Sequence, residues 1–462
     1  MTERPHGLLG RVRSAWGALS LDAKVVGVVG VGNWLLLFGK HYSVQATTDG
    51  PLWQLFPGWW AAVWLLMCGL LAWGYPFRDL RDAAGFSRRA RVLHLAAMVT
   101  LFVVVPTVAS IVLRETGKPF TYVHDGAIMV EEAARKLLAG QNPYAADYLD
   151  TPLFFWPMIN NPALYHLTYF PFLFLVTVPF VLVFDALGIF WDQRYLYLPA
   201  YVATLVVVWW LIPARLADRD RAFALRASLT SIVALDPQLF PFVAEGRNDF
   251  VVLLFFFAGV AALLRDRLTL ATFCVAVASA AKLHAVVLLP FLAVYLIARS
   301  GAREPRSIVG VLWRHGRPAA AFLAVVFVPF LVNDPWAFYD DVVLYNSGGA
   351  AWSYPISGMG FSAILRALGV IAYPQQDFPF AAFQLAAAVP LAAWSMRRLW
   401  RDPSVPTLLG GYALTLLAFL FFGRYFHGNY LGYVLAVAAP VPFLWRVAAA
   451  RRPSAARYAP SA

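Results

Sequence analysis

TYVHDGAIMVEEAARKLLAGQNPYAADY, residues 121–148, follows directly on a long apolar run. Its own apolar residues recur at helical spacing. Charged residues, among them Glu131 and Glu132, fill the other side, which predicts a short amphipathic helix with those glutamates exposed. Asp125 stands where an N-cap residue would, and Gly140 where the residue after the C-cap would. A helix this polar should lie along a membrane surface rather than cross the membrane.

The composition identifies the class of protein around this helix. Of 462 residues, 61% are hydrophobic and only 13% are charged, whereas about a quarter of a soluble domain is charged. The chain is therefore predicted to be an integral membrane protein. Its two cysteines, Cys68 and Cys274, fall inside apolar runs, so neither a disulfide framework nor a thiolate metal site is expected.

The distribution of positive charge predicts which apolar runs cross. If runs 162–184 and 359–372 rest at the outer face, about twelve transmembrane helices remain, with both termini and most lysines and arginines inside. The net charge of +12 then reflects contact with the inner leaflet of the membrane rather than with nucleic acid. Two long outer segments result: the first outer loop, residues 114–195, and the second outer loop, residues 333–378. Two elaborated loops on one face indicate one site.

Two groups of polar residues on this face contain carboxylates. His124 and Asp125 begin the amphipathic helix; an aspartate there usually only caps the helix, but the position also presents a carboxylate beneath the loops. His124 could orient a substrate or simply face water. Glu245, Arg247 and Asp249 share a tight turn between two apolar runs, and such charges occur in any polar turn.

Two further groups contain cations. Lys282 is the one charge in a run from Leu268 to Arg299 that is too long for a single crossing, so the chain is predicted to turn there, with His284 beside it. A lysine at that turn suits a lipid phosphate, although it could also snorkel to the interface. The turn with Arg424 and His427 could bind phosphate or sugar, or could anchor the interface through its aromatic residues.

Several chemistries have no signature in this chain. It has no phosphate-binding P-loop, serine-hydrolase elbow or zinc-protease helix. The segment DPWAFYDD contains Asp334, Asp340 and Asp341, which could hold a divalent cation, but loop aspartates alone are weak evidence. No metal and no cofactor is therefore predicted.

The segment HDGAIMVEEAARKLLAGQNPY resembles the first outer loop of GT-C glycosyltransferases, membrane enzymes that use polyprenyl-phosphate sugars as donors. It is most similar to glycosyltransferase family 87, the polyprenyl-phosphate-mannose-dependent α-mannosyltransferases. Three further motifs agree in order: NNPALYHL, FVAEGRNDFVVLLFFFAGVAALLRDR and ASAAKLHAVVLLPFL. The chain departs from the family pattern at Gly246-Arg247, where the family has Gly-Gln, and at His284, near an expected proline.

The resemblance implies an all-α, GT-C-like bundle with amphipathic juxtamembrane helices in the first outer loop. It also implies inverting transfer of a hexose, most often mannose, to a hydroxyl of a glycolipid or glycan. Asp125 would act as general base. Lys282 would be the first cation for the donor phosphate, followed by Arg247, His427 and Arg424. The remaining substrate-binding candidates are His124, Glu245, Asp249, His284 and Tyr165.

The resemblance also suggests how a single polytopic domain, residues 1–462, is divided. Its predicted parts are two extra N-terminal spans (1–91), a GT-C-like catalytic module (92–332) that includes the first outer loop, the second outer loop (333–378), C-terminal spans (379–450) and a cytoplasmic tail (451–462). The expected location is a bacterial cytoplasmic membrane, with the active site on the outer face. The expected partners are the lipid-linked sugar, a glycolipid or glycan acceptor and the membrane lipids.

Two other functions fit some of these features. A multi-span transporter shares the predicted layout, but transporters place ionisable residues near the bilayer midplane and often contain repeated spans. A ligase or polymerase of lipid-linked glycans would also work at the outer face. Such enzymes depend on arginines in one large outer loop, whereas the second outer loop here has Arg366 alone.

Overall fold

The computed structural model describes residues 8–42, 59–158, 161–213 and 218–451. The predicted cytoplasmic tail after Arg451 lies outside these residues. The described chain is almost entirely helical, as its composition predicts. In chain order the helices are α1 (Leu8–Ala18), α2 (Leu21–Tyr42), α3 (Trp59–Arg81), α4 (Arg88–Val99), α5 (Val105–Thr116), α6 (Asp125–Leu138), α7 (Pro171–Ala186), α8 (Arg194–Trp209), α9 (Arg219–Ala234), α10 (Phe240–Glu245), α11 (Asp249–Leu263), α12 (Leu268–Ala281), α13 (Leu283–Val286), α14 (Leu288–Ser300), α15 (Pro305–Asn333), α16 (Pro335–Tyr339), α17 (Tyr345–Ser347), α18 (Phe361–Ala367), α19 (Phe380–Arg401), α20 (Val405–Phe421), α21 (Gly428–Ala438) and α22 (Pro440–Arg451).

Shorter elements complete the described chain. Two strands, β1 (Ser357–Gly358) and β2 (Tyr425–Phe426), pair in parallel. Two 3-10 turns and two π-helical turns are Pro152–Phe155, Pro162–Leu164, Thr100–Val104 and Asp340–Leu344. The first π-helical turn joins α4 and α5 into one continuous helix, Arg88–Thr116.

Helix length and composition agree with a membrane protein. Five described stretches are long and apolar enough to span a bilayer: Trp60–Arg81, Arg88–Thr116, Leu283–Ser300, Pro305–Asn333 and Gly428–Ala448. Helices α7, α8, α11, α12 and α20 are apolar but shorter. The protein is thus an all-α membrane protein, whereas the figure of about twelve spans stays a prediction.

The centre of the bundle is the antiparallel pair α11 and α12. The α11 sequence DFVVLLFFFAGVAAL is apolar on all sides, a pattern typical of a helix surrounded by other helices. Gly259 allows the close approach to α12, because a Cβ there would lie 3.2 Å from Val275 Cγ2. Small residues at a helix crossing bring two backbones together in this way. The pair places the turns at its two ends on opposite sides of the bundle.

Helices α2 and α3 are fixed to α4 through a buried ion-pair cluster. Arg91 Nη1 donates to Asp22 Oδ2 over 2.8 Å, and its other terminal nitrogen pairs with Asp79. The Tyr75 hydroxyl donates to the same Asp22 oxygen over 2.7 Å. Each of these buried charges therefore has a partner, as burial requires.

The amphipathic helix predicted after Thr121 is α6, and its ends are partly as expected. Gly140 follows the C-cap with φ +76°, as predicted. Asp125 is not the N-cap: His124 takes that position, with its Nδ1 3.1 Å from the Gly126 nitrogen. Asp125 becomes the first helical residue instead. Aspartate is a preferred N-cap residue and histidine is not, so the sequence pattern favoured Asp125.

Helix α7 runs alongside α6. The Tyr169 hydroxyl, just before α7, lies against Gly126 at the head of α6. At the other end, Asp185 forms an ion pair with Arg135 in the last turn of α6. The two helices therefore pack side by side. That the run 162–184 belongs to the first outer loop stays a prediction.

The expectation that Glu131 is exposed is wrong. Its two carboxylate oxygens accept from Arg114 Nη1 and Nη2 over 2.8 and 2.7 Å. Arg114 also pairs with Asp192 at 2.9 Å, and Asp192 with Arg194 at 2.7 Å. The Glu132 side chain is 14% exposed, so it is not a fully solvent-facing charge either. The charged side of α6 is thus covered by the chain around α7, which helical periodicity does not reveal.

The second outer loop folds back over the first. Asp341 Oδ2 accepts from the Leu167 N–H over 2.8 Å, and Asp341 Oδ1 lies 2.7 Å from His166 Nδ1. The pairing of β1 with β2 attaches the middle of this loop to the turn before α21. Helix α18 has seven residues, about 10 Å, so it is too short to cross a bilayer.

Candidate active site

Asp125 lies at the head of α6 with only 9% of its surface exposed. Its Oδ1 accepts from the Gly126 N–H over 2.7 Å and lies 2.6 Å from His124 Nδ1. Burial raises the pKa of Asp125, but the neighbouring His124, Arg247 and the Gly126 N–H together lower it below its ordinary value. The group is therefore a carboxylate at neutral pH, which a proton acceptor requires.

Gly126 is needed for the shape of this site. A Cβ at this position would lie 2.1 Å from the Tyr169 hydroxyl, so any larger residue would displace the tyrosine. Burial raises the pKa of Tyr169, and the charges of Asp125 and Asp249 add to that effect. The Tyr169 hydroxyl therefore stays protonated and lies within the electrostatic field of two carboxylates.

The turn between α10 and α11 packs directly on the head of α6. The His124 N–H donates to the Glu245 carbonyl over 2.7 Å. Gly246 follows with φ +83°, and a Cβ there would lie 3.2 Å from Ala127 Cβ. A glycine suits both the left-handed conformation and the close contact. Two polar groups identified separately in the sequence are thus in contact.

Arg194 connects the same two segments from below. Its Nη1 donates to the carbonyls of Tyr122 and Ala244 over 2.6 and 2.7 Å. Tyr122 has φ +57°, a left-handed conformation that non-glycine residues rarely adopt. Because its charge is balanced by Asp192, Arg194 can hold this turn without leaving an unpaired charge buried.

A second network of hydrogen bonds joins three turns that the sequence predicts to be polar: the turn with Arg247 and Asp249, the turn at Lys282, and the turn before Asn429. Lys282 Nζ donates to Asp249 Oδ1 over 2.7 Å, and Asn429 Nδ2 donates to Asp249 Oδ2 over 3.1 Å. Arg247 Nη1 donates in turn to Asn429 Oδ1 over 3.2 Å, while its Nε donates to Glu245 Oε2 over 3.0 Å. The Lys282 and Arg247 side chains remain 14% and 22% exposed, so both keep a face open to a ligand.

Lys282 itself lies where the sequence predicts a turn. It separates α12 from α13 in an extended conformation, with φ −157° and ψ 141°. Its ammonium lies 5.5 Å from the centre of the Tyr430 ring, a favourable cation–π distance. A buried carboxylate and an aromatic face thus fix the position of this cation.

His427 lies in the same electrostatic field but is not a cation. Burial, Arg247 and His124 lower its pKa to about 4, while Asp125 has the opposite effect. Its Nε2 lies 3.3 Å from the Tyr354 hydroxyl. At neutral pH His427 can therefore form hydrogen bonds with a substrate but cannot supply the positive charge that was expected of it.

A group of tyrosines surrounds these residues, and most of it was missed in the sequence. The Tyr354 and Tyr425 rings lie 4.6 Å apart, and Tyr425 stacks on His427 at 5.9 Å. The charge of Asp125 raises the pKa of both Tyr345 and Tyr354, after burial. Tyr345 and Tyr354 come from the second outer loop, and no local pattern indicates that this loop covers α6.

Arg424 has a different place from the one predicted. Its Nε donates to the Tyr354 carbonyl over 2.6 Å, and its terminal nitrogens approach the carbonyls of Gln376 and Pro374 at 3.4 and 3.5 Å. With only 4% of its surface exposed, this guanidinium is used to hold the second outer loop. We therefore do not assign it to a donor phosphate.

His284 and Tyr165 differ in how far they are exposed at the site. His284 is buried beneath it, with its ring 4.8 Å from Tyr430 and its carbonyl accepting from the Tyr412 hydroxyl over 2.7 Å. Tyr165 is 40% exposed and stacks on Trp352 at 5.5 Å. That pair joins the two outer loops at the rim, where an aromatic face is accessible to a ligand.

The aspartates of DPWAFYDD have separate roles. Asp334 caps α16 by accepting from the Ala337 N–H. Asp340, Asp341 and His166 place their ligand atoms within 4.8 Å of one another, as a metal site would. The hydrogen bond from His166 and the main-chain N–H already occupy both oxygens of Asp341. These contacts hold the two outer loops together.

The comparison with protein families agrees with this geometry. The family model for glycosyltransferase family 87 matches residues 167–423, more than half of the chain. The protein is thus a membrane-embedded glycosyltransferase, and it belongs to glycosyltransferase family 87. The membership confirms the resemblance drawn from the sequence and disfavours a transporter.

The matched region includes Arg247, Asp249 and Lys282 and begins after Asp125. A search of curated proteins finds no match.

Proposed function

We propose that the protein transfers mannose, with inversion, from a polyprenyl-phosphate donor to a hydroxyl of a glycolipid or glycan. The observation that carries this proposal is the position of Asp125. Its carboxylate is nearly buried, kept ionised, and held next to the turn that contains Arg247. A base and cations at one site are what transfer from a phosphate leaving group needs.

In the proposed reaction Asp125 accepts the proton of the acceptor hydroxyl. As that proton leaves, the hydroxyl oxygen forms a bond to the anomeric carbon of the sugar. The bond from this carbon to the phosphate oxygen breaks on the opposite face, and the lipid phosphate leaves with the electron pair. Attack from the face opposite the leaving group inverts the anomeric configuration. General-base assistance of this kind contributes typically 10²–10⁴ in rate.

Lys282 and Arg247 are the proposed partners of the leaving phosphate. Both are held by neighbouring groups, Lys282 by Asp249 and Arg247 by Glu245 and Asn429. Because they are fixed before the reaction, they can stabilise the growing phosphate charge without a reorganisation cost. His427, neutral at pH 7, is proposed to donate a hydrogen bond to the sugar or the phosphate.

The proposed setting is the outer face of a bacterial cytoplasmic membrane, with both termini inside. A lipid-linked donor can enter from the outer leaflet, so a nucleotide-binding site is not needed. The exposed stack of Tyr165 on Trp352 is proposed to contact the acceptor glycan at the rim. His124 and Glu245 are proposed to shape the acceptor site through the main-chain hydrogen bond from the His124 N–H to the Glu245 carbonyl.

The direct test uses the purified protein in lipid nanodiscs with radiolabelled polyprenyl-phosphate mannose and a glycolipid extract. We expect labelled glycolipid and stoichiometric release of polyprenyl phosphate from the wild type. The Asp125→Asn variant should give neither product. Asp147→Asn, which changes an exposed aspartate of the same loop, is the matched control and should remain active. Near-normal turnover by Asp125→Asn would contradict the proposal, as would transfer from a nucleotide sugar alone.

A further inference from the structure

A cleft of about 470 Å³ opens between helices α12, α14 and α15. Its lining includes two arginines, a histidine and two serines, together with apolar side chains, and no carboxylate. None of these residues belongs to the candidate active site. We propose that this cleft binds an anionic phospholipid, with the phosphate against the arginines and the acyl chains along the apolar wall.

The cleft lies on the opposite side of the bundle from the active site. Leu268, in its wall, begins α12, whereas Lys282 follows the last residue of that helix, about 20 Å away at 1.5 Å per residue. Helix α15 shows the same separation. Its last residue, Asn333, accepts from Asn142 of the first outer loop over 2.8 Å. Ser307, in the cleft, lies near the start of that helix, about 40 Å from Asn333.

Aromatic residues place the cleft at the depth of lipid headgroups. Trp313, one residue before Arg314 in the cleft wall, is 66% exposed. Nearby in the chain, Arg303 lies 4.8 Å from the centre of the Trp400 ring. Tryptophans concentrate where a membrane protein meets the interface, and arginines concentrate in the loops on the inner side. Under the predicted topology this is the inner leaflet, whose anionic lipids attract basic segments.

The polar groups of the cleft match a phosphate. Arg314 has no ion pair or hydrogen bond among the residues that the structure describes. Arg299 donates to the Tyr295 hydroxyl over 2.7 Å and shares its charge with Asp266 at the rim. His315 is held by Thr269 at 2.9 Å. Arginine can bind two phosphate oxygens at once, so the unpaired Arg314 is the main proposed contact.

The apolar wall distinguishes a lipid from a free anion. Leu268, Leu296 and Val311 line the cleft beside the arginines, which suits acyl chains and gives nothing to inorganic phosphate. Helix α15 also has an open surface, because only 17% of its most apolar window is buried, against 39–50% in the other four long helices. A lipid in the cleft would cover part of that surface and stabilise the packing of α15.

The test measures retention of phosphatidylglycerol by the full chain, using native mass spectrometry and titration of phosphatidylcholine nanodiscs. One cation near an anionic lipid contributes about 1 kcal/mol, so Arg314→Gln should weaken binding about five-fold. Phosphatidylglycerol should also raise the Tm of the wild type more than that of this variant. Arg314→Lys should keep most of the binding. Arg221→Gln, an exposed arginine of the same predicted face outside the cleft, is the matched control and should bind like the wild type.

Three results would overturn the proposal. The first is unchanged phosphatidylglycerol binding in Arg314→Gln when that variant keeps the wild-type Tm in phosphatidylcholine. The second is an equal loss in Arg221→Gln, which would mean a general surface-charge effect. The third is displacement of the lipid by inorganic phosphate at the same concentration, which would indicate a site for a free anion.

Discussion

Two clusters of charged side chains lie along α6, and they differ in how completely they are enclosed. The closed cluster consists of Arg114, Glu131, Asp192 and Arg194, whose side chains are at most 5% exposed. The open cluster consists of Asp125, Arg247, Asp249 and Lys282. In the open cluster, the side chains of Asp125, Arg247 and Lys282 are 12%, 22% and 14% exposed, and only that of Asp249, at 2%, is fully enclosed.

The difference indicates which charges hold the fold and which are available to a substrate. In the closed cluster, Glu131 accepts from both terminal nitrogens of Arg114, and Asp192 pairs with Arg114 and Arg194. Nothing remains for a ligand. In the open cluster each cation has a partner and also an accessible face. Ionisable groups that burial and neighbours perturb at an accessible site are typical of function.

Arg194 links the closed cluster to the open one. It pairs with Asp192, and its guanidinium also binds the carbonyls of Tyr122 and Ala244. Those carbonyls precede Asp125 and Arg247 by three residues each. The closed cluster therefore positions the open one, and substitutions in the two should separate stability from activity.

The largest expected effect is that of Asp125→Asn. The amide cannot accept the acceptor proton, so we expect kcat to fall about 10³- to 10⁴-fold, the upper range for a lost general base. The Tm should change little, because the Gly126 N–H can still donate to an amide oxygen. Product formation from polyprenyl-phosphate mannose measures the first quantity and thermal unfolding in detergent the second. A large loss of Tm would mean that Asp125 stabilises the fold, as the residues of the closed cluster do.

Glu131→Gln should behave in the opposite way. Removing one charge leaves Arg114 buried with half of its compensation, a change that typically costs about 3–5 kcal/mol. We expect a large fall in Tm and in the yield of folded protein. The protein that does fold should keep a kcat within a few-fold of the wild type. A selective loss of kcat at unchanged Tm would contradict the distinction between the two clusters.

Lys282→Gln should have a smaller effect on catalysis, and because it leaves the buried Asp249 without its ion-pair partner, it should also lower the Tm. It removes one of two proposed cations from the leaving phosphate, and we expect kcat/KM to fall about 100-fold, or ~2.7 kcal/mol. Lys282→Arg should restore part of that loss, because the charge returns with a different shape. Lys118→Gln, an exposed lysine of the first outer loop, is the control. Equal losses of kcat/KM in Lys282→Gln and Lys118→Gln would contradict the proposal that Lys282 contacts the leaving phosphate.

Local signals in the sequence were enough for the helices and turns of this site. Helical periodicity predicted α6, a glycine predicted its end, and a lone lysine in an apolar run predicted the turn at Lys282. The order of short motifs predicted the family that the comparison confirms. Each single helix, turn or motif is contained within about 30 residues, so the chain does not have to be folded to detect it.

The remainder depends on contacts between distant segments. Glu131 pairs with Arg114 and contacts the Gln193 N–H, 62 residues away. Tyr354 reaches the site because the second outer loop folds over the first. Arg424 was predicted to bind phosphate because it is a cation in a turn of the site. The loop carbonyls that surround its guanidinium are visible only in the structure. The roles of buried charges were therefore the part of the site that the sequence left undecided.

The smallest expected effect concerns Glu132, which lies between the two clusters and belongs to neither. Burial and the charge of Glu131 raise its pKa to about 7, against the opposing Arg135 and Arg114. A carboxyl group whose pKa is raised in the folded protein stabilises the folded state at pH values below its unfolded pKa of 4.5. This contribution is lost as the pH rises through about 7.

Glu132→Gln removes the cost of the buried charge, so it should stabilise the protein by roughly 2 kcal/mol at pH 8. At pH 5 the gain should be much smaller. Comparison of Tm values at the two pH values, with Glu115→Gln as an exposed control, measures the difference. A gain that is equal at both pH values would mean that Glu132 is not titrating in this range, and its side chain would then belong with the closed cluster.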